Sequence, residues 1–178
     1  MDVVQREMAK GIQNKGAGQD LYNFNRLLAV CHTVVVDQDP RTGEVTYQAS
    51  SPDELALIQG AKQSGLVLKE RSQQFIKIRN ELTGGIEDYE ILREFPFDSD
   101  RKRMTLIVKY NNQYLLMCKG ADSIMLPRTK FRKDQSQIMM VQRELLKFAK
   151  EGLRTLVVCQ KILDQRDYEQ LDRKIYDI

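Results

Sequence analysis

An aromatic side chain lies close to three consecutive cations in the segment Phe97–Met104, which reads FDSDRKRM. These residue types suit a nucleotide, because a base can stack on the ring of Phe97 while phosphate groups pair with lysine or arginine. A phenylalanine in the core beside a solvated basic strand would account for the same residues. The segment therefore predicts a nucleotide site and leaves that second interpretation open.

Strand geometry limits how many of these cations can serve one site. Arg101, Lys102 and Arg103 lead into an apolar run, and successive side chains of a strand point to opposite faces. Alternation would place Lys102 and Met104 on one face and Arg101 and Arg103 on the other. We therefore expect only part of the basic cluster to face a ligand.

A further lysine follows the next predicted strand, in the motif Lys119–Asp122 (KGAD). Gly120 has no side chain, so a ligand could approach the backbone closely at this position. The pair Asn111–Asn112 has the residue types of a tight hairpin turn, and pairing across that turn would bring Lys119 near Met104–Lys109. The two motifs together indicate a site more strongly than either does alone.

The motif Ser51–Glu54 (SPDE) has the pattern of a helix start. Ser51 suits the N-cap, Pro52 the first helical position, and Glu54 the position that completes a capping box. Glu54 could instead accept a hydrogen bond from a ligand, and one carboxylate cannot fully serve both roles at once.

One more cation, Arg154, lies in the otherwise apolar segment Leu153–Val158, which predicts a strand. Its guanidinium either binds a ligand phosphate or is a solvated charge at the edge of the sheet.

Hydrophobic periodicity predicts the elements that position these motifs. The expected helices are 20–31, 52–64, 121–126, 133–150 and 164–178. The expected strands are 33–36, 44–49, 66–70, 75–79, 89–95, 104–110, 113–118 and 153–158. The order predicts an α+β fold with a mainly antiparallel β-sheet flanked by helices.

The N-terminal segment predicts a tether, because residues 11–18 are rich in glycine and polar residues without an apolar period. We expect residues 1–19 to be a flexible tether and residues 20–178 to be one domain.

Composition excludes several classes of protein. The formal charge of the 178 residues is +3, too small for nucleic-acid binding driven by charge alone. The three cysteines are widely spaced and predict neither a disulfide framework nor a zinc site.

Two common kinds of catalytic or binding site are not indicated by the motifs. No phosphate-binding loop motif occurs, and the only histidine, His32, lies in an apolar junction where a structural role is expected.

Four motifs occur in the order and spacing of the nucleotide-binding domain of P-type ATPases, namely SPDE at 51–54, F-x-S-x-RKRM at 97–104, KGAD at 119–122 and GLRTL at 152–156. The forms SPDE, RKRM and KGAD resemble the phospholipid-transporting (flippase) subfamily more than the calcium or sodium pumps. The resemblance covers about residues 20–178 and implies the fold of that nucleotide-binding domain.

On the side of the base, the resemblance implies that Phe97 stacks on adenine. Lys119, with Gly120 beside it, would line the adenine and ribose pocket. Glu54 would lie near the exocyclic amine of adenine as an acceptor.

On the side of the phosphates, the resemblance implies that Lys102 and Arg154 bind ribose and phosphate groups. Ser99 would be a nearby polar contact.

The resemblance further implies a larger parent protein, an ATP-driven phospholipid translocase. The DKTGT motif that carries the phosphorylated aspartate of P-type ATPases does not occur in this sequence, so we expect the domain to bind ATP without turning it over. It would present ATP to that aspartate on a neighbouring domain. Delivery favours weak binding, and millimolar affinity corresponds to about −4.1 kcal/mol.

The resemblance also predicts the surroundings of the domain. Its partners would be ATP and the phosphorylation and actuator domains of the same chain, at the cytoplasmic face of a membrane that only the parent protein enters. Mg²⁺ would serve the parent and not be held by this domain, and the fragment would be a monomer without a nucleic-acid partner. The alternative is a protein- or nucleic-acid-interaction module that uses Arg101–Arg103 as a basic patch.

Overall fold

The computed structural model describes residues 2–13, 16–42, 45–130 and 134–176. The helices are α1 (Val3–Gln13), α2 (Ala17–Val30), α3 (Pro52–Gln63), α4 (Asp122–Met125), α5 (Gln135–Lys150) and α6 (Gln165–Tyr176). The strands are β1 (Val35–Gln38), β2 (Val45–Gln48), β3 (Leu66–Arg71), β4 (Phe75–Asn80), β5 (Gly85–Asp98), β6 (Arg103–Tyr110), β7 (Gln113–Gly120) and β8 (Val157–Leu163).

The strands β3 to β8 form one six-stranded sheet in which every neighbour in space is also the neighbour in sequence. All of these pairs are antiparallel, and β1 and β2 form a separate antiparallel hairpin. At the turn between β6 and β7, Asn111 has φ 46° and Asn112 has φ 62°, the left-handed conformation that a tight hairpin of this kind requires. The predicted α+β fold with a mainly antiparallel sheet is confirmed.

The core lies between one face of the sheet and the helices α2 and α3. Alternate residues of the strands point to this face, and the helices contribute apolar residues at helical spacing. The fully buried members include Leu27, Val30, Ile58, Leu68, Ile78, Met104, Leu106, Val108, Leu115 and Met117. The helix α3 packs against α2 and β3, and its Glu54 side chain reaches Lys119 in the KGAD motif on β7.

The glycine content of residues 11–18 predicts a tether, but the structure has the helices α1 and α2 in this part of the chain. Residues 14 and 15 lie outside the described residues. Met8 of α1 is completely buried in the core. A Cβ atom on Gly11 would lie 1.9 Å from the carbonyl carbon of Gly18, so these glycines allow two backbones to approach each other. The division into residues 1–19 and 20–178 stays a prediction.

The predicted strand 153–158 is wrong in its position, because β8 covers Val157–Leu163. The amide of Leu153 donates a hydrogen bond to the carbonyl oxygen of Phe148 at 3.0 Å, which extends the C-terminal cap of α5. The strand starts where Val157 can pair with Gly120 at the end of β7. Arg154 therefore precedes the strand and is not part of it.

The other boundaries differ by a few residues. Helix α2 begins three residues before its predicted start, and β1 lies two residues later than the predicted strand 33–36. Parts of the expected elements at 43–44, 133 and 177–178 lie outside the described residues. Within the described ranges, no helix combines the length and the apolar character needed to cross a bilayer.

His32 is buried at the junction between α2 and β1, with 1% of its surface exposed. Its Nδ1 accepts a hydrogen bond from the amide of Val34 at 3.0 Å, so Nε2 donates to the carbonyl oxygen of Ala29 at 2.9 Å. Burial, with smaller contributions from the charges of Arg71 and Lys119, lowers the pKa of His32 to about 3. Its role is structural, as the sequence predicts.

This histidine gives a testable dependence of stability on pH. Between the ordinary pKa of 6.5 and the folded pKa of about 3, the unfolded chain binds a proton at His32 that the folded chain does not bind. The free energy of unfolding should therefore fall as the pH drops below 6.5, by about 1.4 kcal/mol per pH unit. Urea unfolding at pH 7, 6 and 5 measures this slope, and a His32→Gln variant should lack it. An equal slope in both proteins would contradict the assignment.

Candidate functional site

One end of the sheet collects most of the residues that the sequence analysis singles out. Asp98 at the end of β5 pairs with Arg103, Arg103 with Gly120, and Gly120 with Val157. This row crosses β5, β6, β7 and β8 at one end of these strands, which we call the motif end of the sheet. The opposite end, at the turn Asn111–Asn112, is about 23 Å away along β6 at 3.3 Å per residue.

Phe97 lies at the motif end with 64% of its surface exposed. The register between β5 and β6 is irregular between the pairs Phe95–Thr105 and Asp98–Arg103, so Phe97 lies in a bulge opposite Met104, where the simple alternation of faces does not hold. The pairing of Met104 with Lys119 across the hairpin confirms that KGAD and RKRM are adjacent. An exposed aromatic ring thus lies at the same end of the sheet as the lysine of KGAD.

The three cations of the RKRM motif have different surroundings. Arg101 donates hydrogen bonds from its guanidinium to the carbonyl oxygens of Phe95, Pro96 and Arg103. Arg103 in turn donates to the carbonyl oxygen of Arg101. Both guanidinium groups therefore stabilise the turn between β5 and β6.

Lys102 differs from the two arginines, because it is exposed and has φ 51°. It lies in the turn before β6, together with the exposed Ser99. The predicted alternation of faces is wrong for Lys102 and Arg101, since strand geometry begins only at Arg103. Among the described residues, no hydrogen bond or ion pair engages the ammonium group of Lys102.

Glu54 and Lys119 form a buried ion pair across the core, with 2.9 Å between Oε1 and Nζ. The exposed fractions of their side chains are 12% and 8%. Buried charges of this kind are tolerated only when they are paired and hydrogen-bonded. Helix α3 brings Glu54 to the sheet, and β7 brings Lys119 to the helix.

Glu54 makes only half of the predicted capping box. Its amide donates to the side-chain oxygen of Ser51 at 3.2 Å, which is the expected N-cap. Its carboxylate does not return to the backbone of Ser51, because it accepts hydrogen bonds from Thr33, Ser50 and Lys119 instead.

These partners also determine the ionisation of Glu54. Burial by itself would raise the pKa of this carboxyl group, but hydrogen bonds and charge from Lys119, with hydrogen bonds from Thr33, outweigh burial and lower the pKa below 4.5. Glu54 is therefore an anion at neutral pH.

Arg154 lies on the segment that leads from α5 into β8, with 77% of its side chain exposed. Its Nη1 lies 2.7 Å from Oδ2 of Asp53, the residue that precedes Glu54 in SPDE. Since exposed pairs contribute at most about 1 kcal/mol, Arg154 can exchange this partner for a ligand phosphate at little cost.

Gly120 is needed for a contact within the chain. A Cβ atom at this position would lie 2.5 Å from the carbonyl oxygen of Lys102 and 2.7 Å from Cβ of Arg103. The space next to Gly120 is thus filled by the turn that carries Lys102, rather than left open for a ligand as the sequence suggests.

This close approach predicts a cost for a side chain at Gly120. Gly120→Ala should destabilise the domain by about 1 to 3 kcal/mol and shift the amide resonances of the turn Asp98–Arg103. Gly85→Ala is a matched control, because its Cβ would meet nothing nearer than Thr83 at 3.6 Å. Urea unfolding compares the two variants, and equal stabilities would contradict the role of Gly120.

Sequence reasoning missed Thr33, Ser50 and Asp53. Thr33 reads as an ordinary β-branched residue before a strand, and its contact with Glu54 spans 21 positions. Asp53 lies within the SPDE motif and Ser50 directly precedes it, and that position was the only signal for them.

The antiparallel sheet and its covering helices agree with the nucleotide-binding domain of a P-type ATPase. The family model described as P-type ATPase, cytoplasmic domain N, matches residues 20–177. The chain belongs to this family.

Its more specific similarity is to phospholipid-transporting members. The chain is 41% identical over 160 residues to phospholipid-transporting ATPase IC of Xenopus tropicalis, covering 89% of this chain and 12% of the relative. It is 39% identical over 152 residues to phospholipid-transporting ATPase NEO1 of Saccharomyces cerevisiae, covering 84% and 12%. For phospholipid-transporting ATPase IG of Homo sapiens the identity is 37% over 161 residues, covering 86% and 14%. The chain thus spans about an eighth of the length of these relatives.

Proposed function

We propose that this domain binds ATP at the motif end of the sheet. Phe97 stacks on the adenine, and Lys119 lines the pocket for adenine and ribose, next to Glu54, while Gly120 contributes by letting the turn of Lys102 pack against β7. The observation that carries the proposal is the exposed ring of Phe97 at the end of the sheet to which β7 brings the largely buried Lys119. A planar base needs such an aromatic face together with a few fixed polar groups.

Lys102 and Arg154 bind the ribose and phosphates, and Ser99 contributes a polar contact. Both cations are exposed, and the sole partner of Arg154 in the described chain is the carboxylate of Asp53, itself partly exposed. Lys102 and Arg154 approach the motif end from the β5–β6 turn and from the segment before β8. Charge-assisted hydrogen bonds from such groups suit phosphate oxygens.

In the parent protein the domain presents ATP to the phosphorylatable aspartate of a neighbouring domain, and the resulting cycle drives phospholipid between leaflets. The names of the relatives support lipid transport. On this proposal the domain works at the cytoplasmic face of the membrane, its partners are the phosphorylation and actuator domains, and Mg²⁺ acts with the parent protein. The domain itself binds ATP without hydrolysing it.

In the alternative of a basic patch, two of the three cations are already engaged within the chain. Arg101 and Arg103 are engaged with backbone carbonyl oxygens, so a partner would meet mainly Lys102. A patch of one lysine offers little of the multiple phosphate neutralisation that gives nucleic-acid affinity.

An NMR titration of ¹⁵N-labelled protein with ATP, repeated with GTP, tests the proposal. We expect saturable shifts at Phe97, Lys119 and Gly120 with ATP, at about millimolar affinity, and smaller shifts with GTP. The same result should be obtained with and without Mg²⁺. The amides of Asn111 and Asn112, at the far end of the sheet, are internal controls. Unchanged spectra at about 10 mM ATP, or shifts centred on the open clefts around Lys109, would refute it.

A further inference from the structure

Two of the three cysteines lie directly opposite each other in the sheet. Cys118 of β7 pairs with Cys159 of β8 in the antiparallel register, and both are free thiols. Residues that face each other in this way project from the same side of the sheet, with Cα atoms about 4.5 or 5.5 Å apart. Both separations lie within the range of about 4.4 to 6.8 Å that a disulfide can span. The two thiols can therefore reach each other, although their spacing in the sequence does not indicate it.

The two sulfurs differ in their surroundings. Sγ of Cys118 lies 3.2 Å from Oγ1 of Thr105 on β6 and 3.5 Å from Sδ of Met125 on α4, and the residue is only 8% exposed. Cys159 is half-buried on the strand at the edge of the sheet. An oxidant from solvent therefore meets Cys159 first. Cys118 reaches Cys159 by rotation about its own Cα–Cβ bond, away from Thr105 and Met125.

A bond between these thiols would be strained. Opposed residues of an antiparallel pair have Cβ atoms about 4.5 to 5.5 Å apart, whereas a disulfide requires about 3.5 to 4.5 Å. Closing the bond draws the two strands together by up to about 1 Å, and strain of this kind makes a disulfide easier to reduce. Such a bond suits reversible oxidation rather than permanent stabilisation of the fold.

We propose that Cys118 and Cys159 form a reversible disulfide when the protein meets a peroxide, so that this pair is a redox modification site of the domain. The formation of the bond does not depend on the proposed function. On that function the domain works at the cytoplasmic face of a membrane, where disulfides are transient and typical of redox sensing.

Hydrogen peroxide supplies the oxidising equivalents. The thiolate of Cys159 attacks one oxygen, the O–O bond breaks, and the departing hydroxide takes up the thiol proton as water, which leaves a sulfenic acid. The sulfur of Cys118 then attacks the sulfenic sulfur, the S–O bond breaks, and a second water leaves with the proton of Cys118. Two thiols and one peroxide thus give one disulfide and two waters, and a thiol reductant reverses the reaction by exchange.

The pair should react slowly at neutral pH. Burial and the neighbouring thiol of Cys118 raise the pKa of Cys159 above its ordinary value, and the thiolate is the reactive form. The site therefore responds to sustained oxidation rather than to a brief exposure.

The bond would form beside the proposed ATP site. Lys119 directly follows Cys118 and pairs with Val158, which directly precedes Cys159. Rotation of Cys118 also removes its contact with Met125 of α4, the helix that begins within the KGAD motif. Binding groups must be held within about 0.5 Å of their productive position. The oxidised domain should therefore bind ATP about 10-fold more weakly, as for the loss of one well-placed hydrogen bond; this consequence rests on the proposed function.

The first test counts thiols in the 178-residue protein after prolonged incubation with hydrogen peroxide. After unfolding in urea, the number of thiols that react with Ellman's reagent should fall from three to one, and dithiothreitol should restore it. Peptide mapping should find Cys118 linked to Cys159 within one chain. Cys31, which is completely buried, should remain a thiol and is the internal control. Three remaining thiols, a link to Cys31, a link between two chains, or oxidation to sulfinic acid without a link would each overturn the pair.

The second test measures ATP affinity by NMR titration of the reduced, the oxidised and the re-reduced protein. We expect affinity about 10-fold lower in the oxidised form and restored by dithiothreitol. Cys159→Ser should form no link and keep its affinity after peroxide treatment, which controls for oxidation of methionines. Cys31→Ala should still form the link.

The outcomes separate the two proposals. An oxidised protein that carries the link but binds ATP as well as the reduced protein would overturn the effect on ATP. Equal losses of affinity in the original protein and in Cys159→Ser would overturn it as well. A reduced protein that does not bind ATP would refute the proposed function, whereas the count of thiols would still decide whether Cys118 and Cys159 form the bond.

Discussion

Phe97→Ala is expected to weaken ATP binding by about 1 to 3 kcal/mol, the contribution of one stacked base, or about 5- to 150-fold in Kd. The ring is 64% exposed, so its removal takes little away from the core and the free energy of unfolding should change by less than about 0.5 kcal/mol. Isothermal titration or NMR titration measures the affinity, and urea unfolding measures the stability.

Two other variants serve as controls for Phe97. Phe24 is also an exposed phenylalanine, on α2 with 45% exposure, and Phe24→Ala should leave ATP affinity unchanged. Arg103→Ala should weaken ATP binding less than Phe97→Ala, because its guanidinium bonds to the carbonyl oxygen of Arg101. Phe97→Ala with unaltered affinity would exclude stacking on this ring.

Lys119→Met is expected to destabilise the domain by about 3 to 5 kcal/mol, because it leaves the buried carboxylate of Glu54 without a counter-charge. The double variant Lys119→Met/Glu54→Leu should be far closer to the original protein, since replacing both partners of a buried pair by apolar groups is often nearly neutral. Urea unfolding of the two variants separates these outcomes.

Lys161→Met is the matched control for that lysine, because Lys161 is 65% exposed and lies 3.5 Å from Asp167. An exposed pair of this kind contributes at most about 1 kcal/mol.

The buried pair also predicts a dependence of stability on pH. Since the pKa of Glu54 is lowered below 4.5, its contribution to stability is present above pH 4.5 and is lost as the pH falls through the folded pKa. A Lys119→Met variant no less stable than Lys161→Met would contradict the buried ion pair.

The strands of the sheet could be predicted from the sequence because each is a local pattern bounded by turn residues. Asn111 and Asn112 adopt the left-handed conformation that their residue type favours, and this turn sets the register that brings Met104 opposite Lys119. Consecutive antiparallel pairing then needs no further information, so the adjacency of the RKRM and KGAD motifs follows from local chemistry.

The positions of Arg154 and Glu54 depend on contacts that sequence periodicity does not contain. The apolar run Leu153–Val158 suits a strand, but the cap of α5 occupies its first residue and pairing with Gly120 sets the start of β8. Glu54 suits a capping box, yet tertiary donors from Thr33 and Lys119 take its carboxylate. In both cases a long-range partner outweighs a local preference.

The N-terminal segment shows the same limit. In a single sequence, Gly11 and Gly18 indicate flexibility. In the structure, a Cβ atom on either would meet the backbone of the other helix, that of Gly18 for Gly11 and that of Glu7 and Gly11 for Gly18. Only the packed structure distinguishes a glycine that frees the chain from one that lets two helices touch.

The central claim is that ATP binds with its base on Phe97, and intermolecular nuclear Overhauser effects in the ATP-saturated protein test it most directly. The account predicts cross-peaks between the aromatic protons of Phe97 and the H2 and H8 protons of adenine, with further cross-peaks from the side chain of Lys119. Cross-peaks from adenine to residues around Lys109 at the other end of the sheet, with none to Phe97, would contradict it.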